Sequence, residues 1–316
     1  MNINRRNFCF MLTASAAASA FTGCASTGSD AIVVDDKLTA FLSDIHVSGW
    51  NVKGQPTYQN PLFEKAVNDV LALRPRPKRV VILGDIALWR GLKEDYAASA
   101  PMLKRLEDAG IELTITTGNH DHRRTMLEAH PRYAKTSPVP GRIVSVVDLG
   151  DADLLVLDSL QESASGEGNN AVDGTLDKAQ QDWLADTAKS AKRPFFVCAH
   201  HPPQELSIGK EKLISFFDKV PLFAGYIHGH DHRWYKRWHH VGYSKPHVLR
   251  ELCIPSTGWW GTIGFALFRS APHEAVVSLE QKDFFFPRPL KPGEARPPEW
   301  DDILAEDKGD TCKFRF

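Results

Sequence analysis

The chain has 316 residues, 42% hydrophobic and 24% charged, with 22 Gly and 20 Pro, which excludes disordered, fibrous and small disulfide-stapled classes. Lys plus Arg number 38 against 39 Asp plus Glu, a formal charge of −1, so no strongly basic surface is implied and large nucleic acid is not an expected partner. Five scattered cysteines offer neither a disulfide framework nor a CxxC metal site; Cys198 and Cys253 lie in apolar runs and read as buried small hydrophobes.

Residues 1–23 carry Arg5 and Arg6, no acidic residue, and then an Ala-rich apolar run from Phe8 to Phe21. This is the layout of an export signal, and the run is shorter than the roughly 20 apolar residues that a membrane span needs. Arg5-Arg6-Asn7-Phe8 resembles a twin-arginine signal, with Asn4 where Ser or Thr is usual. Phe21-Thr22-Gly23-Cys24 resembles a lipoprotein box, in which Cys24 becomes the lipidated first residue; a rival cut follows Ala18-Ser19-Ala20. Either way the expected place is outside the cytoplasm, periplasmic or anchored to a bacterial envelope by a lipid on Cys24. A tether over 24–36 is expected to lead into a domain over 37–281.

Leu38 to Ile45 and Arg79 to Gly84 read as strands. Between them Leu62, Phe63, Ala66, Val67, Val70 and Leu71 recur at helical spacing, until Pro75 and Pro77 stop the pattern. A second helix from Asp95 to Ala109 ends on Gly110, and a strand follows from Ile111 to Thr117, the βαβ rhythm of a parallel or mixed sheet. Strands at Ile143 to Val147 and Leu154 to Leu157 precede a Gly/Ser/Asn-rich loop from Ser163 to Gly174. Leu176, Ala179, Gln180, Trp183 and Leu184 give another amphipathic helix. Phe195 to Ala199 and Phe223 to Ile227 are short strands that deliver histidines. His247 to Ile254, Ile263 to Phe268 and Ala275 to Leu279 read as antiparallel strands closing a second sheet. The Pro-rich tail, 282–316, reads as a strap over the core, with one helical turn at Trp300 to Leu304.

Five motifs fall at or just beyond strand ends: Asp44-Ile45-His46, Gly84-Asp85, Gly118-Asn119-His120-Asp121, His200-His201-Pro202 and Gly229-His230-Asp231-His232. Parallel strands share a C-terminal edge, so these residues are expected to converge. Carboxylate, amide oxygen and imidazole together suit Mn, Fe or Zn. Seven such donors exceed what one tetrahedral ion needs. With one Asp bridging, they divide between two ions roughly 3.5–4 Å apart.

The order and content of these motifs resemble the calcineurin-like metallophosphoesterase superfamily, from Leu38 to about Leu279. The resemblance implies an α/β fold, a four-layer αββα sandwich of two mixed β-sheets flanked by helices. It implies that Asp44, His46 and His232 hold one metal, Asn119, His200 and His230 a second, and that Asp85 bridges them. It makes His120 the residue that protonates the leaving oxygen or steadies transition-state charge, with Asp121 orienting it. A hydroxide shared by the two ions would attack phosphorus in line, with no covalent phosphoenzyme. Purple acid phosphatases carry a Tyr three residues after the motif Asp; Leu88 stands there, which disfavours an iron-tyrosinate centre. Asp158-Ser159, the Gly-rich loop and Gln180-Gln181 before Trp183-Leu184 are similar to the cyclic-nucleotide and glycerophosphodiester phosphodiesterases, so a small phosphodiester is the expected substrate. Alternatives are a phosphomonoesterase with the same site, a non-catalytic metal-binding surface lipoprotein, and a nuclease for short oligonucleotides. The native metals and the oligomeric state stay open.

Other residues have two readings. His201 and His228 neighbour the motif histidines and would ligate if the register moved by one. His130, His239, His240, His247 and His273 read as structural. Trp50, Trp89, Trp259 and Trp260 follow motifs or strands, as ordinary packing or as a stacking wall for a base or other apolar leaving group. Arg123 and Arg124 would either pair with a substrate phosphate or stay solvated at a helix start.

Overall fold

Chain order begins with strand β1 (Val34–Leu42), helix α1 (Gln59–Ala72), β2 (Arg76–Ile82), α2 (Lys93–Asp108) and β3 (Glu112–Ile115). Short helices α3 (Arg123–Ala129) and α4 (Pro131–Thr136) lead to β4 (Ser145–Asp148), β5 (Asp153–Val156), β6 (Gly174–Thr175), α5 (Lys178–Ser190) and β7 (Phe195–Cys198). A 3-10 turn (Pro203–Glu205), β8 (Leu206–Ile208) and α6 (Lys210–Phe217) precede β9 (Phe223–His228), β10 (Tyr235–Val241) and β11 (His247–Cys253). Strands β12 (Gly261–Ala271), β13 (Glu274–Phe285) and β14 (Thr311–Arg315) complete the order. This computed structural model describes residues 32–49, 59–163, 170–217, 219–241, 247–286, 288–298, 300–301 and 309–316, all within one unit, Ile32–Phe316. The expected export signal, Cys24, most of the tether, part of the Gly-rich loop, Trp50 and the side chains of His239, His240 and His247 lie outside the described residues.

Local sequence explains the ends of the helices. The Asp177 side chain accepts the Gln180 amide at 3.0 Å and caps α5. Helix α2 closes with Gly110 at φ +80°: the Gly110 amide reaches the Glu107 carbonyl and the Ile111 amide the Leu106 carbonyl, a paired ending that only a left-handed residue allows without strain.

Two six-stranded mixed sheets result, in the orders β14-β13-β12-β1-β2-β3 and β10-β11-β9-β7-β5-β4, beside a two-stranded β6-β8 ribbon. Strands β1, β2 and β3 run parallel, as do β5, β7, β9 and β11. Side chains alternate across each strand. Ala40, Leu42, Val80 and Ile82 therefore face α1 and α2, whereas Phe41 and Val81 face the other sheet. Leu155, Phe195 and Val197 meet Leu184 and Ala188 of α5 and Leu213 and Phe217 of α6, whereas Leu154, Val156 and Phe196 turn inward. Three cores between four layers give the expected αββα sandwich, with the solvent-side helices covering both sheets.

Some boundaries and pairings depart from the expectations. Strand β1 starts at Val34, inside the expected tether. Ile263–Phe268 and Ala275–Leu279 lie within β12 and β13, which continue the first sheet through β1 rather than closing the second; only β11 of the three expected strands joins the second sheet. The segment expected as a strap supplies β14, paired antiparallel to β13 from Ser278↔Thr311 to Glu274↔Arg315, and so forms an edge of the first sheet. Of the turn expected at Trp300–Leu304, Trp300 and Asp301 are described, and Trp300 is buried against Phe284.

Candidate metal centre

The parallel strands of both sheets end at one edge, where the chain turns through uncommon backbone. Asp44, His46, Asp85, His230 and His232 all have positive φ, between 45° and 69°. Each such residue costs about 1–3 kcal/mol, and such conformations gather at functional sites. Two motif glycines answer close approach: a Cβ on Gly118 would lie 2.1 Å from Asp85 Oδ1, and one on Gly229 1.8 Å from Ser43 Oγ.

Three histidines are oriented by backbone carbonyls. His46 Nδ1–H donates to Leu88 O at 3.1 Å, His200 Nδ1–H to Leu83 O at 2.8 Å and His232 Nδ1–H to Trp260 O at 2.9 Å. Each bond fixes the tautomer and leaves an Nε2 lone pair directed inward. His46 and His232 Nε2 then face each other at 3.3 Å, and His200 Nε2 faces His230 Nδ1 at 3.2 Å. Facing lone pairs repel unless a proton or a cation lies between them. Asn119 Oδ1 sits 3.0 Å from both His200 Nε2 and His230 Nδ1, and His230 Nε2 meets Glu205 Oε2 at 3.0 Å.

Two buried carboxylates complete the cluster. Asp44 Oδ2 accepts the Ser43 hydroxyl at 2.5 Å and the His230 amide at 3.1 Å, while Oδ1 is buried without a hydrogen bond, 3.2 Å from His232 Nε2. Asp85 Oδ1 accepts the His120 amide at 2.8 Å, and Oδ2 lies 3.4 Å from His200 Nε2 and 3.6 Å from His46 Nε2. Burial alone would raise both carboxyls; the imidazoles of His232 and His200 beside Asp44, and of His200 and His120 beside Asp85, overcome it and hold both well below the carboxylate range. Burial pushes His46 down to about 3 and so keeps it neutral. Burial would lower His200 as well, but Asp85 draws a proton onto it and pushes it up to about 10. The place that attracts a proton so strongly is equally suited to a divalent cation. Asp44, His46, Asp85 and His232 offer donor atoms within 4.8 Å of one another, as do His200, His201 and His230. An orphaned carboxylate oxygen, inward lone pairs and a mixed oxygen–nitrogen donor set fit divalent metal.

His120 stands at the cleft side of Asp85, its Nε2 4.0 Å from Oδ2, and its Nδ1–H donates to Trp89 O at 3.2 Å. Asp121 does not orient it. The Asp121 carboxylate instead accepts the Ile86, Ala87 and Gly118 amides and the Tyr96 hydroxyl. Its backbone turns the carboxylate toward the Asp85 loop, so the expected His120 contact is replaced by a main-chain carbonyl. A cleft of about 760 Å³ opens above the cluster, lined by Trp89, Arg90, His120, Asn170, Trp259 and Trp260 among others.

Arg123 does not face that cleft. It is buried and forms ion pairs with Asp158 at 2.7 Å and Glu162 at 2.5 Å, and Arg124 lines a separate depression. His228 is tied to Glu251 Oε1 at 3.1 Å, away from the two groups above. His201 is brought beside His200 and His230, with Nδ1 2.8 Å from the Ser159 hydroxyl. Glu205 and Asn170 escaped sequence reasoning. Asn170 Nδ2 donates to the Asn119 and Asp121 carbonyls at 2.8 and 2.7 Å; neither residue sits in a motif or at a periodic position that would have singled it out.

A family model described as calcineurin-like phosphoesterase matches residues 38–234. The chain is 25% identical over 207 residues to a protein of Arcobacter nitrofigilis named "Probable glycerophosphodiester phosphodiesterase GpdQ", covering 61% of this chain and 70% of that one. It is 26% identical over 209 residues to a "Probable cyclic nucleotide phosphodiesterase" of Psychrobacter arcticus, covering 60% and 70%. Among solved structures, a dimetal phosphatase of Danio rerio shares the fold with a TM-score of 0.57 at 16% identity, covering 77% of this chain and 95% of that one. A purple acid phosphatase from yellow lupin shares it with a TM-score of 0.51 at 12% identity, covering 77% and 51%.

Proposed function

The chain belongs to the calcineurin-like phosphoesterase family, and on that premise we propose that this metal-dependent hydrolase uses two divalent ions, Mn, Fe or Zn, to cleave small phosphodiesters. Asp44, His46, Asp85 and His232 would hold one ion; Asn119, His200 and His230, with Asp85 shared, would hold the other. The observation that carries this reading is the set of inward Nε2 atoms, fixed by the Leu88, Leu83 and Trp260 carbonyls around two buried carboxylates. Bound there, the ions would supply Lewis acidity toward phosphoryl oxygens and lower the pKa of water.

The chain's own residues do the rest. Hydrolysis breaks the bond between phosphorus and the leaving oxygen and forms one to an oxygen from water. His120, whose Nδ1–H is held by the Trp89 carbonyl, would act as the doubly protonated imidazolium, passing its Nε2 proton to the departing oxygen and returning to the neutral ring. Asn170 steadies the Asn119 and Asp121 backbone on either side of it. The names of the two curated relatives support a diester over a monoester.

Chelator-stripped protein reloaded with Mn, Fe or Zn should bind two ions and cleave bis(p-nitrophenyl) phosphate faster than p-nitrophenyl phosphate. Asp85→Asn should lose metal, and His120→Ala should bind it normally yet lose about 10²–10⁴ in kcat. Unchanged turnover in both variants would refute the mechanism; preference for the monoester would overturn the substrate alone. We also propose, from the sequence of residues 1–24, export and a lipid on Cys24. Cys24→Ser should move the protein from the membrane to the soluble fraction, and unchanged fractionation removes the anchor.

A further inference from the structure

Trp89 is placed where packing does not explain it. The residue is 56% exposed although it belongs to the loop that carries Asp85, and Phe286, 53% exposed, packs edge-on against Trp260. Leaving an indole in water forfeits the gain that normally drives it inward, and exposed aromatic surface at a cleft marks a binding face. The ring contacts of Trp89 are edge-type: 5.9 Å and 87° to His120, 5.2 Å and 64° to Trp259. Among the described residues no ring stacks parallel on its indole.

The neighbours fix which part of a substrate would meet it. Trp259 lies between Trp89 and the metal cluster, 4.4 Å from His46 and 5.9 Å from His120 by ring centroids. The Trp89 carbonyl also accepts the His120 Nδ1–H, so the proposed proton donor is tied to the residue that carries the indole. A group departing from phosphorus takes its proton from His120 and therefore passes along Trp89 and Trp259. Arg90, exposed on the same wall, has no ion-pair partner among the described residues. A planar π-face and an exposed guanidinium lining the same cleft are complementary to a nucleobase with its phosphate, because stacking tolerates any base and the cation meets the anion.

We propose that Trp89 and Trp259 form a stacking subsite for a planar aromatic leaving group, so that the preferred substrates are phosphodiesters that release a nucleoside. This rests on the diesterase reading above and names its substrate class. Glycerol-like leaving groups cannot stack and gain nothing from the indole.

The Mn-loaded protein is tested on three diesters: adenylyl-3′,5′-adenosine, bis(p-nitrophenyl) phosphate and glycerophosphoethanolamine. Trp89→Ala should lower the ratio of kcat/KM for the dinucleotide over the glycerol ester about tenfold or more, mainly through KM, and Trp89→Phe should restore most of it. A parallel fall for the aryl ester means that any planar ring suffices; a fall for the dinucleotide alone means that the base is required. A ratio unmoved by Trp89→Ala, or a uniform fall in kcat for all three esters, overturns the subsite and returns Trp89 to a structural part. Chelator-stripped protein supplies a readout independent of catalysis. Adenosine, and not glycerol, should show saturation transfer by NMR, and Trp89→Ala should abolish it. Adenosine bound at Trp89 without diester turnover would keep the subsite and overturn the diesterase reading; turnover without either effect of Trp89→Ala would do the reverse.

Discussion

The Asp121 carboxylate takes three backbone amides and one hydroxyl, at 2.9–3.3 Å, with no solvent contact. Two of those amides, Ile86 and Ala87, directly follow Asp85, and the third belongs to Gly118, whose missing Cβ lets Asp85 approach. Asp121 therefore pins the turn that presents Asp85, the proposed shared ligand. Burial, with the neighbouring Asp85 charge, pushes it up to about 6, so the donors and the repulsion are closely opposed. Asp121→Ala strands those donors and frees the Asp85 turn. It should weaken metal binding about 10–100-fold, the usual cost of removing an outer partner of a ligand, while kcat at saturating Mn falls far less than in His120→Ala. Equilibrium dialysis with Mn and activity titrated against Mn measure the two effects; wild-type affinity for Mn in Asp121→Ala would refute this role. The candidate metal donors were legible in the sequence because metal binding demands particular residue types, and glycine opens three of the five motifs that carry them. The groups that aim them were not, since Leu83, Leu88, Trp89 and Trp260 act through carbonyls that every residue possesses.

Strand β14 ties the two sheets together more firmly than an appended tail would. Phe314 is fully buried in the central core, meets Phe196 of β7 edge-on at 5.1 Å, and lies so close to Gly225 of β9 that a Cβ there would come within 2.6 Å of the ring. Phe314→Ala should cost about 3–5 kcal/mol, the range for emptying a packed aromatic site. Urea unfolding followed by circular dichroism tests it, and a loss below about 1 kcal/mol would mean that β14 frays before the core unfolds. Helices α1, α2 and α5 were legible because three or more turns repeat an apolar stripe. Helices α3 and α4, at seven and six residues, are too short for that repeat to register. The alternation of β12 and β13 announces a buried face without saying which sheet continues through it. Pairing with β1 is a tertiary matter invisible to local periodicity.

At the scale of the whole molecule, a formal charge of −1 does not reveal that two carboxylates are buried side by side with histidines at one sheet edge. Asp44 and Asp85 are 0% and 1% exposed, and five residues of the site hold left-handed backbone. Both features cost folding free energy, and cations bound among these carboxylates would offset it by supplying a buried positive charge. Anything that binds the folded chain and not the unfolded one stabilises it by mass action, about 2.7 kcal/mol per site at a hundredfold excess over Kd. For domains of roughly this size each kcal/mol moves the midpoint by about 2–4 °C, so removing metal with a chelator should lower Tm by roughly 5–10 °C for one site and more for two. Readdition of Mn should restore it. The control is Asp85→Asn, which removes the carboxylate placed between the two groups of ligands: its Tm should respond little to chelator. An equal drop in Asp85→Asn would locate the stabilising ions elsewhere in the protein and detach the stability of the fold from its candidate metal centre.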